Sequence, residues 1–217
     1  MKILFLGDSI TAGAGLDSQD KNYVTLVGMA FGATVVNYGV GGTRIARKKQ
    51  PSADPAFDED FLKRAKKMDK TADLVFVFGG TNDYGHGDAP IGNPDDETPY
   101  TFCGALNVLV KMLGKTYGSD KVCFILPIHR KDEDNPFGED GQKTVKSGTL
   151  TDFVNAEKVV LEKNKVKYLD LNDVFPREKL GSLTIDGIHP NQLGHALIAG
   201  KLVAYIGSQR TMNKLLR

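Results

Sequence analysis

Several familiar classes are excluded by what this sequence has little of. There are two cysteines, Cys103 and Cys123. They stand outside any metal-ligand spacing, so neither a disulfide framework nor a zinc site is indicated, and both read as buried thiols. Charge of one sign is not in excess: 28 lysines and arginines face 27 aspartates and glutamates, a net of +1. That balance removes the bulk electrostatic case for nucleic acid or an anionic membrane surface. No apolar run approaches membrane-spanning length. At the N-terminus only Ile3 to Leu6 separate Lys2 from a glycine, too short for the hydrophobic region of a signal peptide. The expectation is a soluble, cytoplasmic protein with no membrane insertion, no nucleic acid and a small-molecule partner. Phosphate-loop patterns are missing as well: Gly13-Ala14-Gly15 fits neither G-x-G-x-x-G nor G-x-x-x-x-G-K-[ST]. Nor is there a G-x-S-x-G nucleophile elbow.

What the chain does have is a regular alternation. With 217 residues, 41% of them hydrophobic, it is long enough for one substantial core and reads as a single domain over 1–217. Five runs are continuously apolar, as strands buried on both faces must be: 2–6, 34–38, 73–79, 121–127 and 165–171. Helical spacing of apolar residues marks 23–31, 61–68, 102–117, 150–164 and 191–206. Strand and helix alternating in this way imply right-handed crossovers, hence a three-layer α/β/α sandwich around a five-stranded parallel sheet.

Ligands bind such sheets outside the carboxyl ends of the strands. At those ends stand Gly7-Asp8-Ser9, Asn37 to Gly42, Gly79 to Asp83, and His129-Arg130, with Asp186-Gly187-Ile188-His189-Pro190 in a later loop. Two loops, 84–99 and 130–147, exceed what connectivity needs and are candidates for pocket walls or lids. Both are acidic, with Asp88, Asp95, Asp96, Glu97, Asp132, Glu133, Asp134, Glu139 and Asp140.

A serine hydroxyl becomes a nucleophile only beside a base whose tautomer is fixed by a third group. Asp186 and His189 suit that pair: a turn at Gly187-Ile188 brings the side chains together, and Pro190 keeps His189 out of the following helix. An oxyanion hole needs donors already aimed at the developing charge. The backbone N–H of Ser9, a backbone N–H of Gly39, Gly41 or Gly42, and the Asn82 carboxamide are available.

In its blocks GDSITAG (7–13), NYGVGG (37–42), GGTND (79–83) and DGIHP (186–190), the chain resembles the SGNH, or GDSL, hydrolase family of esterases and lipases. The resemblance implies a flavodoxin-like SGNH hydrolase fold and a carboxylic ester hydrolase. Ser9 would be the nucleophile, His189 the general base and Asp186 its orienting acid, with Ser9, Gly42 and Asn82 forming the oxyanion hole. Gly42 is favoured because it stands five residues after Asn37, where the family places its oxyanion glycine. No metal or organic cofactor is implied.

Around this core, Asp8, His86, Asp88 and His129 are the expected substrate-pocket residues. A metal held by His86 and Asp88 lacks further ligands. Asp83 is expected to bind the loop that positions Asn82, His195 to be a partly buried helix residue, and the cluster RIARKK (44–49) to be a solvated face. Polar, acidic loops favour short acyl groups, acetyl above all, on a sugar or small alcohol. Family relatives that act as lysophospholipases or thioesterases share the same blocks. A non-catalytic flavodoxin-like binding module would share the sheet but would not need Asp186-x-x-His189.

Overall fold

The five apolar runs pair side by side because their backbone groups, once buried, have no other partners. In the computed structural model, which describes residues 1–215, they form strands β1 (Lys2–Gly7), β2 (Thr34–Gly39), β3 (Leu74–Phe78), β4 (Val122–Ile125) and β5 (Lys167–Leu169). All pairs are parallel, in the order β2-β1-β3-β4-β5. The helices are α1 (Ser9–Ala12), α2 (Tyr23–Phe31), α3 (Phe61–Lys67), α4 (Thr81–Gly85), α5 (Phe102–Tyr117), α6 (Leu150–Lys163), α7 (Leu180–Leu183) and α8 (Gln192–Leu215).

Alternate strand residues feed two cores. Leu4, Leu6, Val75, Val77 and Phe124 pack under α3, α5 and α6, whereas Ile3, Phe5, Phe76, Phe78 and Ile125 pack under α2 and α8. Each fully buried side chain of this size stabilises the fold by about 1.5–3 kcal/mol relative to exposure. Cys103 and Cys123 are buried on opposite sides of the sheet, and burial pushes their thiols up to about 11 and about 12. Asn22, Asp60, Thr101 and Thr149 start α2, α3, α5 and α6 by accepting a first-turn N–H.

Three differences from the sequence reading stand out. Strand β2 is an edge strand with no fully buried residue: Val36 and Tyr38 pack on one core and Val35 on the other, but its outer edge has no neighbouring strand to complete their burial. The last helix runs on to Leu215, past the expected end at 206, through a polar stretch that carries no apolar stripe. The short helices α1, α4 and α7 were not expected, because four or five residues are too few to show a period. Among the described residues no helix is long and apolar enough to cross a membrane.

Candidate active site

Ser9 opens α1 directly at the end of β1. The turn is tight enough that α1 lies on the strand ends: a Cβ on Gly39 would stand 2.2 Å from the Ala12 backbone nitrogen, and one on Gly7 would overlap the Thr11 side chain. Asp8 caps this helix, its Oδ1 accepting the Ile10 N–H at 3.0 Å. Only 1% exposed, Asp8 is pushed up to about 6 by burial, against the pull of the Ile10 N–H and Arg64. Asp8 is therefore a buried cap beneath Ser9 and does not wall a pocket. Arg64, also buried, donates to Gly7 O at 2.9 Å, to Tyr38 O and to Thr43 Oγ1 at 2.7 Å, tying together the ends of β1 and β2 and the glycine turn between them.

Residues 184–190 form a small hairpin. Thr184 bridges Pro190, and the Ile185 N–H donates to His189 O at 2.9 Å. At its tip Gly187 has φ +85°, a left-handed conformation that suits glycine. Asp186 Oδ1 accepts the N–H groups of Ile188 (2.9 Å) and His189 (2.8 Å). Its Oδ2 lies 2.7 Å from His189 Nδ1, and His189 Nε2 lies 2.9 Å from Ser9 Oγ. Burial alone would raise Asp186. The His189 N–H, the His189 ring and the Ile188 N–H outweigh it and bring the carboxyl down to about 2. Its side chain is nonetheless 47% exposed.

Asn82 lies in the first turn of α4. One carboxamide N–H donates to Thr43 O at 2.9 Å, which fixes the plane of the amide and leaves its second N–H free to donate. Asp83 Oδ2 and Oδ1 accept the N–H groups of Ile45 (2.9 Å) and Ala46 (2.8 Å), so Asp83 fastens the segment after the glycine turn to α4. Burial exceeds the effect of these bonds and pushes Asp83 up to about 6. Behind the same turn, Glu157 of α6 approaches Gly80. Its carboxylate oxygens have no hydrogen-bond partner among the described residues, and burial drives it well above the usual carboxylate range. Gly41 faces Ser9, where a Cβ would sit 3.7 Å from Ser9 Cβ, while Gly42 has φ +71° and a Phe57 ring against its α-carbon.

The two long loops pack on each other. Arg130 donates to Thr81 Oγ1 (3.0 Å) and pairs with Glu139 at 2.7 Å, and the Tyr84 hydroxyl donates to Asn135 O at 3.1 Å. Between them is a cavity of about 510 Å³ whose wall includes His86, Asp88, Ile91, Lys143, Val145 and Lys146. It adjoins the Asn82 turn, since the His86 and Gly87 N–H groups both donate to Asn82 O. Ser9 and His189 are not part of its wall. His86 is held down to about 4, by burial first and then by the nearby Arg44 charge. His129 is outside this wall as well, its Nδ1 lying 3.0 Å from both carboxylate oxygens of Glu133.

The RIARKK segment is not a solvated face. Arg44, Ile45 and Ala46 are buried, because Asp83 draws the backbone inward and the Arg44 guanidinium reaches Phe57 O at 2.7 Å and Asp58 at 3.3 Å. Likewise His195 is fully buried: its Nδ1 accepts the Tyr23 N–H at 3.2 Å and its ring stacks on Tyr23. The sequence reading missed Arg64 and Glu157. Both interrupt the apolar stripe of a helix, between Phe61, Ala65 and Met68 and between Phe153, Val160 and Leu161, and a charge within such a stripe is the signal of a buried polar function.

The GDSL-like lipase/acylhydrolase family model matches residues 5–197. No curated protein matches the sequence significantly. Among solved structures, a protein from Lactobacillus plantarum is 27% identical with a TM-score of 0.79, covering 95% of this chain and 96% of its own. The lipase/acylhydrolase from Enterococcus faecalis is 26% identical with a TM-score of 0.65, over 96% of both chains. A member of the lipolytic G-D-S-L family from Veillonella parvula shares the fold at 19% identity, with a TM-score of 0.63 over 94% of this chain and 97% of its own. With the match extending from β1 into α8, the chain belongs to the GDSL-like lipase/acylhydrolase family.

Proposed function

We propose that this chain is a serine esterase that works as one domain and cleaves carboxylic esters through an acyl-enzyme. The observation that carries this reading is the Asp186–His189–Ser9 relay, with contacts of 2.7 and 2.9 Å. Asp186, ionised above about pH 3, accepts the His189 Nδ1–H and leaves Nε2 as the base toward Ser9 Oγ. Ser9 Oγ attacks the acyl carbon while His189 takes its proton. The tetrahedral oxyanion is held by the N–H groups of Ser9 and Gly42 and by the free N–H of Asn82. Collapse expels the alcohol with the proton from His189, and a water activated by the same ring then releases the acid and regenerates Ser9.

The acyl group is short. The loops 84–99 and 130–147 that follow the strand ends are polar and acidic in sequence, whereas a long acyl chain gains affinity only by burying one methylene after another at about 0.8 kcal/mol each. A small acetylated alcohol fits this site better than a lipid. Ser9→Ala should abolish turnover of p-nitrophenyl acetate without changing the circular-dichroism spectrum, and a serine-directed phosphonate should label the native enzyme at Ser9 alone. Label on another serine, or an optimum at eight carbons or longer in an acetate-to-palmitate series, would overturn the mechanism and the acyl-length reading respectively.

A further inference from the structure

The cavity beside α4 has a charge that the composition of its loops conceals. Of the nine carboxylates in 84–99 and 130–147, only Asp88 reaches the cavity wall. Most of the others are held in ion pairs away from it: Asp95 with Lys163, Glu97 with Lys111 and Asp134 with Arg177 at the surface, buried Glu133 with Arg177, and Glu139 with the buried Arg130. The cations Lys143 and Lys146 line the cavity instead.

Among the described residues neither lysine has a carboxylate within ion-pair distance. Lys143 Nζ donates to Asp83 O at 2.8 Å and Ser147 Oγ at 2.9 Å. Both acceptors are neutral and aim the ammonium; burial pulls it down to about 8 against the nearby Asp83 and Asp88 charges, and the Phe153 ring centroid lies 5.1 Å from Nζ. Arg44 stands behind the same wall, with its Cδ against Gly87. Its side chain is 4% exposed, and its Nε–H has no partner among the described residues. On the far side of Arg44 a smaller hollow of about 170 Å³ is lined by Arg47, Lys48, Lys49 and Lys63 together with Asp58 and Asp60, of which Asp58 pairs with Arg44 and Asp60 with Arg47. A partly enclosed cavity whose wall carries two ammonium groups against the single carboxylate of Asp88 has a net positive lining suited to an oxyanion.

We propose that the cavity receives a carboxylate or phosphate carried on the alcohol portion of the ester. This rests on the serine-esterase reading: with a short acyl group on Ser9, the alcohol is the part long enough to reach past Asn82 into the space beyond α4. Lys143 and Lys146 are then the specificity-determining residues, and the enzyme's substrates are acetylated acids or acetylated phosphate esters of small size.

The test compares 4-methylphenyl acetate with 4-(carboxymethyl)phenyl acetate and 4-(phosphonomethyl)phenyl acetate in low salt. At least one anionic ester should exceed the neutral one about ten-fold in kcat/KM. That ratio should fall about ten-fold in Lys143→Met, less in the exposed Lys146→Met, and also with added sodium chloride. Taking the ratio within each variant cancels intrinsic reactivity and any loss of folded enzyme. As a readout without chemistry, Ser9→Ala should bind 4-hydroxyphenylacetate more tightly than 4-methylphenol by calorimetry. Anionic esters no better than the neutral one, a ratio that ignores both lysines, or equal binding of the two phenols would overturn the proposal. Turnover that depends on Ser9 but ignores substrate charge sinks this inference alone, whereas turnover that persists in Ser9→Ala sinks the reading beneath it.

Discussion

The hairpin that carries His189 and the paired loops around the cavity stand at the same edge of the sheet and are held there by different means. Residues 184–190 are fixed mainly by backbone groups: the Ile185 N–H to His189 O, the Asn191 N–H to Leu183 O, and two N–H groups on Asp186 Oδ1. Even the Lys131 N–H reaches across to Gly187 O at 2.8 Å. The cavity loops have backbone bonds within themselves, such as the Lys143 N–H to Phe137 O and the Ser147 N–H to Pro136 O, but they are tied to each other and to α4 by side chains, namely Arg130, Tyr84 and Lys143. A backbone brace is indifferent to most substitutions, whereas a side-chain brace changes with one. The atoms that meet at 2.7–2.9 Å sit on the first kind of support, and the cavity proposed to receive the alcohol sits on the second, where a substitution can change its lining without moving the relay.

Asp186→Asn is the sharpest test of the first half. The amide oxygen can keep both backbone N–H groups, so the hairpin should stand with Tm within about 2 °C, while kcat falls about 10²–10⁴-fold because the histidine tautomer is no longer enforced. Unfolding of this variant would show that the hairpin depends on the charge itself. Arg130→Met tests the second half. Loss of the Thr81 bonds, with Glu139 left unpaired but partly exposed, should cost about 1–3 kcal/mol, seen as a lower Tm, while kcat/KM on a small neutral ester stays within about ten-fold. A collapse of kcat equal to that of Asp186→Asn would erase the distinction.

The smallest effect is a slope. His86 and His195 are pushed down to about 4 by burial, so as pH falls from 6.5 to 4 the unfolded chain takes protons that the fold refuses, and stability is lost. Asp8 and Asp83, raised to about 6, do the opposite. Across the same window the fold takes protons that the unfolded chain refuses, and stability is gained. Glu157, raised further, adds to the gain. These contributions oppose one another, so Tm should change little between pH 6.5 and 4. His195→Asn, whose Oδ1 can replace Nδ1 as acceptor for the Tyr23 N–H, should make Tm rise on acidification. An unchanged slope in thermal melts would remove His195 from the balance.

The relay blocks were legible in sequence because they are local: Asp186 and His189 are three residues apart, and strand runs end where Ser9 and Asn82 begin. The sheet was legible for the same reason, since period and apolar runs are short-range properties. What the sequence concealed depends on partners far along the chain. The residues of RIARKK look solvated until Asp83, 37 and 38 residues away, draws Ile45 and Ala46 inward. The acidic loops look like an acidic pocket until Lys163, Lys111 and Arg177 hold Asp95, Glu97 and Asp134 at the surface. Asp8 reads as a pocket residue because it neighbours Ser9, yet the cap geometry that turns the Ser9 hydroxyl toward His189 buries the carboxylate before it.

The contact between Ser9 and His189 closes a span of 180 residues. During synthesis Ser9 leaves the ribosome 180 residues ahead of His189, with β2 to β5 between them, so every strand must be laid down before the proposed nucleophile and base can meet. Under the proposed mechanism, hydrolysis of a chromogenic ester would then report synthesis past the hairpin: a truncation ahead of it stays silent however well its sheet assembles, and the appearance of activity in a synchronised translation reaction times the meeting of Ser9 and His189.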